Sequence, residues 1–388
     1  MQESTEGGRS FAGNSRTRRR SLVLDELDYL LVTALQVAPR ADWQTIGDVL
    51  GLDASTVARR WARLTRAGHA WISVHPKAHT HAPSVVAFIE VDCTAGRLHE
   101  VAAEIAEDPH VFNLEHVSGG RDLLVTAVFT DQAELARYVG FRLGSLDGVA
   151  SSRTQVATAL HTEGSRWRLD RLTEEQRRRL APTATAGVRP QGGRPLQGHD
   201  LELVRALSED PRQPAARLAD RTGLSPTTVR RRLDRLDAEH ALVYRCEVAR
   251  TLSGWPVSVS LWAAVPQSQA PHLAERISAL REIRLCASLT GPHNLLLAGW
   301  LRSVDDIAPF ESRLTERFPE LTVSDRVLTL WPVKLGGHLL DPQGRHLRAV
   351  PLGPWDDPRS EAAEATLLDR LRTPPGPSRS AGVRGRLR

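Results

Sequence analysis

Long hydrophobic runs are absent from this chain of 388 residues. The longest apolar candidate, residues 295–301, has the length of a strand, whereas a helix needs ~20 apolar residues to span a bilayer. The first 21 residues lack the apolar stretch of a secretory signal peptide. The sequence therefore predicts a cytoplasmic protein without a membrane segment.

Cysteine is scarce, and occurs only at Cys93, Cys246 and Cys286. The odd number and wide spacing exclude a disulfide framework and a CxxC metal site. We expect all three to be small residues of the core.

Motifs that carry catalysis are missing as well. No Ser-His-Asp grouping, Walker loop or GxGxxG sequence occurs in a suitable context. Histidines cluster at His69, His75, His79 and His81, but no cysteine or paired acid accompanies them, and their spacing matches no standard zinc site. We predict no catalytic residues, no metal and no cofactor, and interpret the histidines as exposed residues of a connecting strand.

Neither sign of charge dominates, since the net charge is +5 and says little by itself about nucleic acid. Lysine occurs only at Lys77 and Lys334, so 49 of the 51 basic residues are arginines. A composition of 41% hydrophobic and 25% charged residues is typical of a soluble globular protein, and the length predicts two to four domains. The positions of the arginines are therefore more informative than their number.

The chain contains two copies of one unit. A shift of 172 residues aligns its halves without a gap from residue 28 to about residue 162. The matches include Asp28 with Asp200, Leu35 with Leu207, Gly51 with Gly223, Arg59 with Arg231, Gly119 with Gly291 and Ser152 with Ser324. Each copy has two parts.

Each copy opens with the pattern of a helix-turn-helix. In the first copy, apolar residues recur at helical spacing over 27–35, and a short helix over 43–50 ends at Gly51. A third helix follows almost at once, which is typical of this motif. Asp53 is its expected N-cap, and in the second copy Ser225 caps with Pro226 in the first helical position.

The third helix of each copy carries arginines around an apolar stripe, with serine or threonine in its first turn. Arginine neutralises phosphates and contacts guanine, and the first turn of a recognition helix faces base edges in the major groove. The predicted contacts to double-stranded DNA are Ser55, Thr56, Arg59, Arg60, Arg63, Thr227, Thr228, Arg230, Arg231 and Arg235.

The second part of each copy predicts the element order βαββαβ, a ferredoxin-like sheet with helices on one face. The elements are expected at 85–91, 98–106, 111–117, 123–129, 133–146 and 150–159, and again at 257–265, 270–280, 283–289, 294–301, 304–318 and 322–333. The sheet face that no helix covers carries apolar residues that must be buried, and the sheet of the other copy can bury them. The predicted fold class is α+β, with two winged-helix-like helix-turn-helix domains and two ferredoxin-like domains packed as an internal pseudo-dimer.

The predicted boundaries follow from these patterns and from composition. They are a disordered arm over 1–21, helix-turn-helix domains over 22–73 and 196–246, sensing domains over 82–162 and 254–336, a linker with a short helix over 163–195, and a disordered tail over 352–388.

Each half resembles the Lrp/AsnC family of bacterial transcriptional regulators. The resemblance rests on LDELDYLLVTAL with LDASTVARRWARL in the first half, and on LSPTTVRRRLDRL in the second. It covers residues 22–162 and 196–334. It implies a sequence-specific DNA-binding regulator that responds to a small effector such as an amino acid and assembles into homo-oligomers of pseudo-dimeric chains.

The resemblance also implies an effector site at the loop before the third strand, at an interface between α+β domains. The corresponding residues are Ser118, Gly119 and Asp122 in one half and Thr290, Gly291 and Asn294 in the other. In the second half, Asn294 replaces the acid and Pro292 removes a backbone donor, which makes its binding role doubtful. A tight turn that requires glycine explains both loops equally well.

The alternative is an enzyme of tetrapyrrole biosynthesis, because sirohaem decarboxylases resemble Lrp/AsnC proteins in fold. Only part of their His-Cys-Tyr-like strand pattern occurs in this sequence, at Cys286 and residues 262–266. The arginines in both recognition helices favour the regulator, since an enzyme does not need them.

Overall fold

The computed structural model describes residues 24–77, 84–180, 196, 198–353 and 355–373. The predicted arm at 1–21 lies outside these residues. In the described part, the α-helices are α1 (Glu26–Val37), α2 (Trp43–Leu50), α3 (Ala54–Arg66), α4 (Leu98–Ala106), α5 (Gln132–Arg137), α6 (Glu174–Leu180), α7 (His199–Glu209), α8 (Ala215–Thr222), α9 (Pro226–Ala238), α10 (Ala270–Ser278), α11 (Ile307–Arg317) and α12 (Pro358–Arg372).

The strands are β1 (Ala70–Pro76), β2 (Val85–Cys93), β3 (Val111–Val117), β4 (Leu123–Phe129), β5 (Val149–Thr162), β6 (Leu242–Val248), β7 (Val257–Ala264), β8 (Ile283–Leu289), β9 (Leu295–Leu301), β10 (Thr322–Leu335), β11 (His338–Leu340) and β12 (His346–Ala349). None of the helices in the described ranges is long and apolar enough to cross a membrane.

Local sequence explains how the helix-turn-helix units begin and end. Asp25 and Asp28 form a capping box at the start of α1, and Asp42 caps α2. Gly51 ends α2 at a φ of 70°, a left-handed conformation that favours glycine. These signals place α2 and α3 as the predicted helix pair, and α8 and α9 repeat the arrangement in the second copy.

The two helix-turn-helix units share a β-ribbon. β1 pairs antiparallel with β6 from Ala70–Val248 to Pro76–Leu242. The predicted winged-helix form is therefore wrong in one respect, because the strand after each recognition helix pairs with its counterpart in the other copy. Gln36 of α1 donates to the carbonyl of Cys246 at 3.2 Å, so the first unit packs on a strand of the second.

Each α+β unit has the predicted element order, and its strands form one antiparallel sheet. The first runs β3-β4-β2-β5 and the second β8-β9-β7-β10, with the bounds of α4, β3, β4 and β8 as expected from the sequence. The helix expected over 133–146 divides into α5 and a π-helical segment, Tyr138–Leu143. The spacing of apolar residues does not distinguish an α-helix from a short π-helical segment, so the sequence did not indicate this division.

The last strand of each unit continues onto the other unit. β5 pairs with both β2 and β8, and β10 pairs with β7 through its first half and with β3 through its second. The strands thus close into a ring. Its apolar interior includes Phe88 and Leu124 from the first unit and Trp262 and Leu296 from the second.

The predicted linker is folded in part. Trp167, Leu169, Leu172 and Leu180 are buried in the core of the first helix-turn-helix unit, and α6 packs beside α1 and α2. The short helix predicted within the linker is therefore present as α6, but the segment before it is packed rather than free, because its apolar residues reach the core. Residues 181–195 lie outside the described ranges.

The predicted disorder beyond residue 352 is wrong for residues 355–373. Trp355 is buried against Tyr138 with ring centroids 5.2 Å apart, and α12 follows. Arg137 holds α12 through an ion pair with Glu364 at 2.7 Å. The prediction was wrong because a charged helix with few apolar residues has the composition of a disordered tail. The surface on which α12 packs is also distant in sequence, so no local pattern indicates it.

Candidate DNA-binding and effector sites

The recognition helices α3 and α9 occupy equivalent positions in the two copies. Ser225 accepts a hydrogen bond from the Thr228 amide at 3.2 Å with Pro226 next to it, as predicted. Asp53 stands at the N-cap position of α3, but its side chain makes no capping hydrogen bond. One predicted cap is therefore present and the other is not.

Seven of the predicted DNA contacts are exposed or half-buried and take no part in an ion pair with a described acid. Arg59, Arg230 and Arg231 are exposed and form no ion pair with a described acid. Ser55 and Thr227 are also exposed in the first turns. The half-buried residues Thr56 and Thr228 complete the set, and Thr56 accepts a hydrogen bond from Arg59 at 3.3 Å.

Arg60 and Arg63 have a different arrangement from the one expected. Arg60 bonds Asp25 at 2.7 Å and Asp28 at 2.9 Å, and Arg63 bonds Asp28 at 2.5 Å. Asp28 is fully buried, so it needs these cations. The two arginines therefore fasten the recognition helix to α1.

The second copy repeats this fastening. Arg235 bonds Asp200 at 2.5 Å and Arg232 bonds it at 2.7 Å. Burial acts to raise the pKa of Asp200, but hydrogen bonds from the two arginines outweigh it and lower the pKa. Sequence reasoning assigned Arg60, Arg63 and Arg235 to DNA and missed their ion pairs with Asp28 and Asp200, although the recurrence of the two acids at the 172-residue shift was a usable signal.

The β1–β6 ribbon connects the two recognition helices. It follows α3 through Gly68 and α9 through His240, with φ of 67° and 49° respectively. A Cβ at Gly68 would lie 2.5 Å from the carbonyl oxygen of His346. Both recognition helices therefore enter one ribbon through left-handed residues.

The predicted effector loops join the two α+β units. Ser118 donates its amide to the Leu328 carbonyl, and its hydroxyl accepts from the Leu328 amide, both at 2.9 Å. Thr290 makes the same pair of bonds with Val156, also at 2.9 Å. Gly119 and Gly291 have φ of 97° and 104°, which explains why glycine occupies both positions.

Asp122 and Asn294 hold these loops in place. The Asp122 carboxylate accepts from the Cys93 amide at 2.7 Å. Asn294 accepts from the Val265 amide at 3.0 Å and donates to the Val265 carbonyl at 2.8 Å. The Asp122 carboxylate therefore already has a backbone donor, and it fastens the loop to the end of β2.

A charged cluster lies beside the first loop. Arg121 forms ion pairs with Glu90, at 3.0 Å, and with Asp325 of the other unit. Its guanidinium lies 4.3 Å from the ring centroid of Trp262, and the indole donates to Gln155 at 3.0 Å. Sequence reasoning missed this cluster, because it assembles residues from both copies.

The described residues contain no group of three or more histidine, cysteine or acidic side chains that could hold a metal. His69 is buried, and His75 contacts the Phe112 ring at 4.7 Å, so neither is the exposed residue that we expected. His79 and His81 lie outside the described ranges. Cys246 and Cys286 are buried as predicted, and Cys93 is half-buried.

Comparison with known families identifies three regions. The Lrp/AsnC ligand binding domain matches residues 86–166, and the AsnC-type helix-turn-helix domain matches residues 24–65 and 199–237. These matches include the β2–β5 sheet and both recognition helices.

Curated relatives correspond to one copy of the unit. An uncharacterized HTH-type transcriptional regulator of Pyrococcus abyssi is 29% identical over 150 residues, covering 37% of this chain and 92% of the relative. An HTH-type transcriptional regulator of Pyrococcus furiosus is 26% identical over 144 residues, covering 36% of this chain and 93% of the relative.

A solved structure matches the fold of most of the chain. The siroheme decarboxylase NirDL, in co-complex with an iron-uroporphyrin III analogue, superposes with a TM-score of 0.53 over 89% of this chain and 100% of the other. The sequence identity is 14%, so this similarity concerns the fold alone.

Proposed function

Because this chain is a tandem protein of Lrp/AsnC type, we propose that it is a DNA-binding transcriptional regulator whose two recognition helices read one DNA site. The observation that carries the proposal is the pair α3 and α9, with Arg59 exposed on one and Arg230 and Arg231 on the other, joined through a common ribbon. Accessible arginines on two linked helices suit contacts to phosphates and guanines in successive grooves.

The two helices read different half-sites. Arg230 has Ala58 as its counterpart in the first copy, and the first turns differ between Ser55 and Thr227. A non-palindromic operator follows, because half-sites mirror the side chains that face them.

The α+β units form an internal pseudo-dimer that senses a small effector, such as an amino acid. The hydrogen bonds of Ser118 and Thr290 to the opposite unit support the sensing role. A ligand that moves either loop would also move the strand of the other unit to which that loop is bonded. The Arg121 cluster, with Glu90 and Asp325, supplies charges of both signs at that position. Pseudo-dimeric chains assemble further into homo-oligomers and act without catalysis.

The test is a salt-titrated binding assay with the upstream region of the protein's own gene and random DNA as competitor. We expect selective binding, with affinity that falls steeply as salt rises. Arg59→Glu and Arg231→Glu should each weaken binding at least tenfold and flatten the salt dependence. Arg317→Glu, at an exposed position far from the recognition helices in sequence, is the control.

Binding that is unselective, or unchanged in both variants, would refute the DNA-binding role. The effector part is tested separately, by titrating amino acids into the protein–DNA complex. A genuine effector should change DNA affinity by about 5- to 150-fold. If no amino acid changes DNA affinity or oligomeric state, that part of the proposal fails while the DNA-binding part stands.

A further inference from the structure

A pocket of about 260 Å³ lies where the first helix-turn-helix unit meets the second α+β unit. Its walls come from the segment after β5, the loop before β7, and the loops beside β8 and β9. The lining residues are Leu169, Asp170, Arg171, Ser253, Gly254, Trp255, Arg281 and Arg302.

Three arginines border this pocket without a counter-charge. Arg171, Arg281 and Arg302 form no ion pair with any acid in the described part of the chain. They lie over aromatic rings instead, Arg281 at 5.3 Å and Arg302 at 5.2 Å from the centroid of Trp255. Asp170, the acid of the pocket, is already paired with Arg177.

One buried arginine over an aromatic ring, by contrast, is neutralised. Arg284 lies 3.6 Å from the centroid of Trp300 and also bonds Glu247 at 2.6 Å. Arginines gathered around one concavity create a positive potential there, which attracts anions.

The pocket is held in shape by its neighbours. The Tyr29 hydroxyl donates to the Leu252 carbonyl at 2.8 Å, and the Trp255 amide donates to Ser253 at 2.9 Å. On the opposite wall, the Leu169 amide donates to Gln36 at 2.9 Å. Asp170 has a φ of 61°, a conformation that few residues other than glycine adopt. A preformed pocket of this kind reduces the conformational entropy that the protein loses when a ligand binds.

Arg281 and Arg302 have no basic counterparts in the first copy. The 172-residue shift places Pro109 and Thr130 at the positions of Arg281 and Arg302. The two arginines therefore belong to the second copy alone, and are not needed by the shared fold.

We infer that this pocket binds a small anion carrying two or more carboxylate or phosphate groups. Guanidinium groups bind such groups through paired hydrogen bonds, and three of them match a polyanion better than a single charge. The volume is below the ~300–1,000 Å³ of typical drug-sized sites, which favours a compact molecule. The arginines surround one concavity, whereas contacts to a DNA backbone follow a line.

The inference does not depend on the DNA-binding role, because it concerns the free protein. The test is isothermal titration of the full chain with citrate and with pyrophosphate, at an ionic strength held constant with sodium chloride. We expect at least one of the two anions to bind at one site per chain. Tighter binding of citrate would indicate a carboxylate ligand, and tighter binding of pyrophosphate would indicate a phosphate ligand.

The double variant Arg281→Gln/Arg302→Gln should lose at least tenfold in affinity, while Arg317→Gln should bind as the unchanged protein does. Arg317 is a matched control because it is also exposed and lies 5.7 Å from the Phe318 ring, outside the pocket. Thermal unfolding of both variants verifies that they fold.

Absence of binding by either probe, or equal binding in the double variant, overturns the inference. A double variant that loses affinity for DNA while the unchanged protein ignores both probes also overturns it, and assigns the arginines to the DNA backbone.

Discussion

Buried titratable side chains mark where the two copies have diverged. In the first α+β unit, Tyr138 donates to Asp108 at 2.9 Å, and Lys334 donates to the Asp108 carbonyl at 2.9 Å. The equivalents of Asp108 and Tyr138 in the second unit are the apolar residues Leu280 and Phe310. Burial raises the pKa of Asp108, against the opposing effect of Arg142. The first α+β unit thus buries a tyrosine–carboxyl pair whose counterparts in the second unit are apolar.

Lys334 makes stability depend on pH. Burial lowers its pKa from 10.5 to about 7, so between these values the unfolded chain carries a proton that the folded chain does not. The free energy of unfolding therefore rises with pH from about 7 to about 10, by up to ~1.4 kcal/mol per pH unit from this group. Lys334→Met should flatten that rise, as measured by urea unfolding at several pH values. Parallel curves for the two proteins would contradict the assignment.

Gly164 lies against a buried ion-pair network. A Cβ at this position would lie 2.7 Å from Nε of Arg284, which with Arg245 neutralises Glu247 between the ribbon and the second sheet. Gly164→Ala should lower the free energy of unfolding by about 1–3 kcal/mol, because the buried guanidinium groups have little room to move. Gly120→Ala, where a Cβ meets nothing within 4 Å, should be nearly neutral in the same denaturation assay. Equal effects of the two substitutions would rule out the packing explanation.

At the scale of elements, the carboxyl-terminal helix α12 depends on one aromatic anchor. Trp355 packs against Tyr138 and His110, with ring centroids 5.2 and 5.6 Å apart. The surface that it covers includes the π-helical segment Tyr138–Leu143, where the helix departs from α-helical geometry. The segment and α12 therefore form one packed structure, although more than 200 residues separate them in sequence.

Trp355→Ala should detach α12 and lower the unfolding free energy by about 3 kcal/mol, as expected for a buried aromatic residue. Hydrogen exchange of the α12 amides should accelerate at the same time. Leu371→Ala is the control on the same helix, since Leu371 is 72% exposed. Unchanged exchange in Trp355→Ala would show that other contacts, such as Arg137 with Glu364, suffice.

At the scale of the whole molecule, the two copies complete one another. β5 and β10 each pair across the boundary, and β1 pairs with β6. Phe88 and Trp262 are both buried in the interior that the two sheets share. Without the other copy, each would leave this inner face of its sheet uncovered.

The separate halves, residues 1–195 and 196–388, should therefore fail to fold as stable monomers. Each would expose its inner sheet face and an unpaired ribbon strand, so we expect aggregation or self-association in light scattering. Co-expression of the two halves should restore a soluble 1:1 complex. A half that remains monomeric with a cooperative thermal transition would contradict this dependence.

The sequence by itself determined the duplication, the element order and the recognition helices. Their signals are local: helical spacing, the Ser225 cap, and glycine at left-handed positions such as Gly51. The 172-residue shift showed which residues correspond, and from this the Lrp/AsnC resemblance followed. These properties depend on neighbours in the chain, which a sequence displays directly.

Only the tertiary structure decided which arginines of the recognition helices are held in ion pairs. Arg59 and Arg63 are equally basic in the sequence, yet Arg63 is held by the buried Asp28 while Arg59 is exposed. The structure also brought Arg121 to Asp325, and it gathered Arg171, Arg281 and Arg302 around one pocket. The physical reason is that pairing and burial of charges depend on contacts between residues far apart in the chain, and no local pattern records these contacts.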